Sequence, residues 1–73
     1  MTGSAYKIIE VVGTSSESWE AAARVAIEEA AKHLEDVRIA EVVKMDVRLE
    51  NNQIVEYRSR LALSFKSHSE LRE

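Results

Sequence analysis

The chain contains no cysteine and no proline, only two glycines, and 5% aromatic residues. Without cysteine there is no disulfide framework, no thiolate metal site and no cysteine nucleophile. Without proline, with so little glycine, and with more Val, Ile and Leu than disordered chains carry, the sequence does not fit low-complexity disorder. No uncharged run approaches the ~20 apolar residues that a membrane span needs, and the first residues lack a signal-peptide core. Positive charge is not in excess: 10 Lys and Arg against 13 Asp and Glu give a formal charge of -3, which argues against a nucleic-acid partner. What is present is 73 residues, 45% hydrophobic and 32% charged. This reads as one cytoplasmic domain over 1–73, with a core at 6–66 and a polar tail at 67–73.

A core of this size rarely supplies more than ~3–5 kcal/mol, so small domains add disulfides, a metal or oligomerisation. Cysteine is absent, and His33 and His68 lie far apart with no ligand spacing around them. Oligomerisation is the remaining route.

Tyr6 to Val12 is short and β-branched and is followed by Gly13, which reads as a strand closed by a turn. Ile8 and Val12 point one way and Ile9 and Val11 the other, so both faces of this strand read as buried. Thr14 and Glu17 fit a capping box, with Ser15 or Ser16 as other caps, and a helix is predicted from about Ser16 to about Leu34. Trp19, Ala23, Ala26, Ile27, Ala30 and Leu34 form its apolar stripe. Most of that stripe is alanine, which predicts close packing on a sheet.

Val37 to Glu50 and Ile54 to Lys66 then alternate as two long strands. Asn51-Asn52 supplies the turn between them, since asparagine tolerates positive φ. In the first of the pair, Ile39, Val43, Met45, Val47 and Leu49 are expected on one face, with Glu41 interrupting it. Ala40, Val42, Lys44, Asp46, Arg48 and Glu50 are expected on the other. The fold class is α+β, a β-α-β-β subunit with a three-stranded antiparallel sheet on one helix. One helix covers one face of such a sheet, so the second, half apolar and half charged, is expected to be buried between subunits.

The segments Tyr6-Lys7-Ile8-Ile9-Glu10-Val11-Val12-Gly13-Thr14-Ser15, Ser18-Trp19-Glu20-Ala21-Ala22, Ala40-Glu41-Val42-Val43, and Tyr57-Arg58 ahead of Ser64-Phe65-Lys66 resemble the dodecin family. The resemblance runs from about Tyr6 to about Lys66. It implies a hollow homododecamer that binds a small ligand without chemistry, usually a flavin (riboflavin, FMN or FAD), for storage or buffering. In flavin-binding members a tryptophan directly precedes the Ala-Glu-Val-Val-like segment and stacks on the isoalloxazine ring. Ile39 occupies that position here. Two further positions, often glutamine in the family, are Met45 and Arg58. Ring stacking is worth roughly 1–3 kcal/mol, so its loss implies flavin affinity reduced by one to two orders of magnitude, at about tenfold per 1.4 kcal/mol.

Other members without the tryptophan resemble calcium-binding dodecins. Calcium takes six to eight oxygen ligands, and Glu41 and Asp46 are the candidate metal ligands, multiplied by symmetry between subunits. A third reading is a shell with no specific ligand. Each site residue also has a structural reading. Ile39 fills an interface cavity, Lys44, Asp46, Arg48, Arg58 and Arg60 form ion pairs, and Trp19 belongs to the core. An enzyme is disfavoured, because there is no nucleophile elbow, phosphate-binding glycine loop or paired histidine ligand.

Overall fold

The structure, a computed structural model, describes Gly3 and residues 5–66; the expected polar tail at 67–73 lies outside the described residues. The elements are β1 (Tyr6–Ser15), α1 (Trp19–Ala31), β2 (Val37–Glu50) and β3 (Gln53–Lys66). The three strands form one antiparallel sheet in the order β1-β3-β2. β2 and β3 are a hairpin whose tip holds Asn51 at φ 51° and Asn52 at φ 63°. Positive φ at both central residues is the requirement of the tight hairpin turn that matches the strand twist. Asp36, at φ 58°, turns the chain from the helix into β2.

β1 does not stop at Gly13. It pairs with β3 through to Ser15 opposite Tyr57. Gly13 has no positive φ, so its role is space and not a turn. A Cβ at this position would overlap the carbonyl oxygen of Ala22 and would lie 2.9 Å from the Cβ of Ala26. The helix therefore rests on the backbone of β1, glycine facing alanine.

The longer strand also moves the cap. Thr14 and Ser15 are strand residues, so the expected Thr14–Glu17 capping box does not form. Ser18 is the N-cap, its Oγ accepting the N–H of Ala21 at 3.0 Å. The Glu17 N–H donates to Ser15 Oγ at 2.9 Å in the connecting bend. The helix is correspondingly shorter than the predicted 16–34.

The core is small. Ala22, Ala26, Leu61 and Leu63 are its buried apolar residues, and Val11, Ala23, Ile27, Ala30, Leu34 and Val37 pack around them. The buried Ser59 hydroxyl donates to the Trp19 carbonyl at 2.9 Å, tying the helix start to the central strand. Trp19 sits at the margin of the core, not inside it. Its ring meets Tyr57 edge-on at 5.1 Å, and its Nε1–H donates to the Asp46 carbonyl at 3.0 Å.

α1 covers β1 and β3 and barely reaches β2, so the hairpin extends past its cover. The radius of gyration is 15.2 Å, with extents of 56 × 20 × 14 Å, against about 11 Å for a compact domain of this length. Ile8, Ile39, Met45, Leu49 and Ile54 are each more than half exposed. The chain by itself leaves several large apolar side chains in water.

The register of β2 corrects the expected faces. Residues directly opposite one another in an antiparallel pair share a face. Val42 lies opposite Leu61, but Lys44 lies opposite Arg60, with Val43 bulged between them. A one-residue bulge reverses the alternation beyond it. Ile39 and Glu41 therefore lie on the opposite face from Met45 and Val47, and Ala40 and Val42 lie on the helix side of the sheet. Glu41 interrupts no apolar face; it belongs to the charged one.

Candidate functional site

The face of the sheet turned away from α1 is built in rows that follow from the pairing of both edge strands with β3. Ile8, Ser64 and Ile39 form one row; Glu10, Ala62 and Glu41 the next; then Val12, Arg60 and Lys44; then Thr14, Arg58 and Asp46. Arg48 lies opposite Glu56 beyond them. The face is thus apolar at the end near Ile39, acidic in the next row and basic in the one after it.

Ion pairs fix most of the charges. Arg58 grips Asp46 with two hydrogen bonds, Nε to Oδ1 at 2.7 Å and Nη2 to Oδ2 at 3.1 Å. This fork-to-carboxylate geometry is the strong form of such a pair. The hydrogen bond from Arg58 holds the Asp46 carboxyl below its ordinary value of 3.8, and the charges of Arg58, Lys44 and Arg60 act in the same direction. Arg48 donates from Nε to Glu56 at 2.9 Å and from Nη1 to Glu50 at 2.8 Å, and the Glu56 carboxyl is likewise lowered, chiefly by Arg48. Arg60 Nη1 lies 3.3 Å from Glu10 Oε1. The arginines on this face take the cross-strand structural role considered for them.

The residues singled out in the sequence separate in the fold. Ile39 is 59% exposed and stands with Ile8 on either side of Ser64. Arg58 is on the same face, but six residues along β3 from that row, or about 20 Å at strand spacing. Met45 is opposite Ser59 on the helix side of the sheet, so the three positions do not converge within one subunit. Of the two candidate metal ligands, Asp46 has both oxygens engaged by Arg58, whereas Glu41 forms no ion pair among the described residues. They sit four residues apart along β3, about 13 Å, and cannot chelate one ion in the same chain. No group of three His, Asp or Glu able to hold a metal is present among the described residues.

Glu10 escaped the sequence reading. It reaches the outer face because Ile9 and Val11 turn to the helix, and β3 brings it across Ala62 from Glu41. The available signal is that Glu10 is the lone carboxylate of β1, set between the apolar pairs Ile8-Ile9 and Val11-Val12.

A family model described as Dodecin matches residues 5–68. The chain belongs to the dodecin family. Among curated dodecins it is 40% identical over 63 residues to the calcium dodecin of Mycobacterium tuberculosis, covering 86% of this chain and 89% of that one. The dodecin of Streptomyces coelicolor superposes with a TM-score of 0.87 at 29% identity, covering 94% of this chain and 99% of that one. The crystal structure of the M. tuberculosis calcium dodecin, described as having a novel calcium-binding site, superposes with a TM-score of 0.80 at 36% identity, covering 96% and 100%. These dodecins share the three-stranded sheet and single helix found here. No helix of the described residues is long and apolar enough to cross a membrane.

Proposed function

We propose that this dodecin is the subunit of a hollow homododecamer that holds calcium between subunits through Glu41, with Glu10 as a second carboxylate. The observation that carries this reading is the row Glu10–Ala62–Glu41. It presents two carboxylates on either side of a side chain too short to fill the space between them. Glu41 forms no ion pair among the described residues, and Glu10 has only the 3.3 Å contact with Arg60. Asp46 does not fit as a ligand, because calcium would have to displace a bidentate arginine. A calcium ion needs more oxygens than one row supplies, so copies of the row from neighbouring subunits complete the shell of ligands. The 40% identical calcium dodecin supports the choice of ion. Exposed apolar surface supports assembly: Ile8 and Ile39 on the uncovered face and Met45 beyond the end of the helix are exposed, and burying them stabilises by roughly 25 cal/mol per Å².

A second reading is a flavin held weakly, favoured by the flat apolar wall that Ile8 and Ile39 make on the same face. Calorimetric titration of calcium into chelator-treated protein, with light scattering to establish the oligomer, separates the two. Saturable calcium heat that is lost in Glu41→Gln supports the first. No calcium heat from an intact oligomer, together with saturable quenching of riboflavin fluorescence, replaces it with the second.

A further inference from the structure

We propose that Lys44 and Arg60, with Arg58 beside them, form a binding site for the phosphate group of a small anionic ligand. The argument starts from the register. Lys44 and Arg60 are direct cross-strand partners, which places their Cβ atoms about 5 Å apart, and like charges so placed are destabilising. Arg58 is two residues from Arg60 on the same face. Three cations thus meet on one side of a sheet in a chain whose net charge is -3. Two of the three are already paired, Arg58 with Asp46 and Arg60 with Glu10, as Arg48 beyond them is with Glu50 and Glu56. Lys44 forms no ion pair among the described residues.

The donors that remain point to a tetrahedral oxyanion. The Lys44 ammonium keeps its three N–H groups, and Arg60 commits only Nη1 to Glu10, leaving most of its five. Arg58 is held in place by Asp46 through Nε and Nη2, so it contributes a fixed positive charge at little further cost in side-chain entropy. Of the carboxylates that face the cluster, Asp46 has both oxygens turned to Arg58, Glu10 holds Arg60 by a single 3.3 Å contact, and Glu41 stands in the neighbouring row. Val12, from β1, completes the lining of a cleft with Lys44, Asp46, Arg58 and Arg60, of about 10 Å³. That is room for one oxygen atom, so a phosphoryl oxygen enters the cleft while the rest of the group lies over Lys44 and Arg60. The site borders the Glu10–Glu41 row and meets it at the Arg60–Glu10 contact, but it does not rest on the calcium reading.

The test is calorimetric titration of inorganic pyrophosphate into the assembled protein at low ionic strength, in calcium-free buffer containing chelator. Saturable binding is expected, weakened about tenfold in Lys44→Gln and in Arg60→Gln, since a hydrogen bond to a charged group of this kind corresponds to about that factor. Lys32→Gln, on the exposed helix, leaves it unchanged. Lys44→Glu, which turns the like-charge pair into an opposite one, is expected to abolish binding and raise the thermal midpoint. FMN against riboflavin then separates free phosphate from a phosphorylated ligand, because the two flavins differ only in that group. A preference for FMN that disappears in Lys44→Gln assigns the site to a phosphorylated ligand; equal binding of both flavins assigns it to free phosphate. Absence of pyrophosphate heat from the intact oligomer, or equal affinity for wild type and Lys44→Gln, overturns the proposal.

Discussion

Replacing Gly13 by alanine tests the account of how the helix is held. The added methyl has three close neighbours: the Ala22 carbonyl oxygen, which it overlaps, and the Cβ and N of Ala26, each 2.9 Å away. Two of these three are backbone atoms of α1 and cannot rotate aside, so relief requires the helix to lift from β1. Lifting loosens Ala22 and Ala26, half of the four buried apolar residues, and lengthens the Ser59–Trp19 hydrogen bond of 2.9 Å. Overpacking of this kind costs about 1–3 kcal/mol, and a weakened buried hydrogen bond adds about 1 kcal/mol. Conformational restriction of the unfolded chain returns about 0.5 kcal/mol, leaving a net loss of roughly 1.5–3.5 kcal/mol. Urea unfolding followed by circular dichroism and Trp19 fluorescence, at matched protein concentration because assembly shifts the midpoint, measures it. The double variant Gly13→Ala, Ala26→Gly should recover little, since it removes only the side-chain contact and adds a glycine to a helix. A single variant within about 0.5 kcal/mol of wild type would refute the close-packing argument, that being the ordinary spread of surface substitutions.

Acid should act through the outer-face ion pairs. The Asp46 and Glu56 carboxyls are lowered in the folded protein by Arg58 and Arg48, so the unfolded chain binds more protons than the folded one once pH falls toward the ordinary carboxylate range. Stability is therefore expected to be level from pH 7 to about 5 and to fall below about 4; thermal midpoints across that range check it, and Asp46→Asn should flatten the acid limb. Ile39→Trp is expected to raise riboflavin affinity at least tenfold if a flavin reaches the Ile8–Ile39 wall, because ring stacking corresponds to roughly 1–3 kcal/mol. Unchanged fluorescence quenching in that variant excludes the wall as a flavin seat.

The element order, the hairpin and its Asn51-Asn52 turn were legible because each has a local cause: alternation, a polar break, and residues that accept positive φ. The alanine stripe was legible for the same reason. The faces of β2 were not. Val42 and Val43 are alike, so nothing in the run marks which of them is bulged, and the bulge decides where Ile39, Glu41 and Met45 stand. Gly13 misled because a glycine before a run of hydroxyl residues looks like a turn when the helix that needs its missing side chain is not yet in view. Ser18 was passed over as a cap as a direct result. The site suffered most, since the cross-strand partners of Asp46, Lys44 and Glu10 depend on pairing across the whole sheet.

β3 is the middle strand of the sheet and the latest of the three in the chain. Tyr6 is bonded in register with Lys66, so the first strand made waits for some sixty residues of synthesis, at about 5–20 residues per second, before its partner exists. Until then β1, α1 and β2 have no common sheet, and Leu61 and Leu63, which complete the core, have not yet been added. A 13-residue helix without a sheet to pack on is marginal in water, so the emerging chain has little to hold it in shape. Folding must follow translation of β3, and the assembly proposed above, which needs the outer face of that sheet, must follow folding.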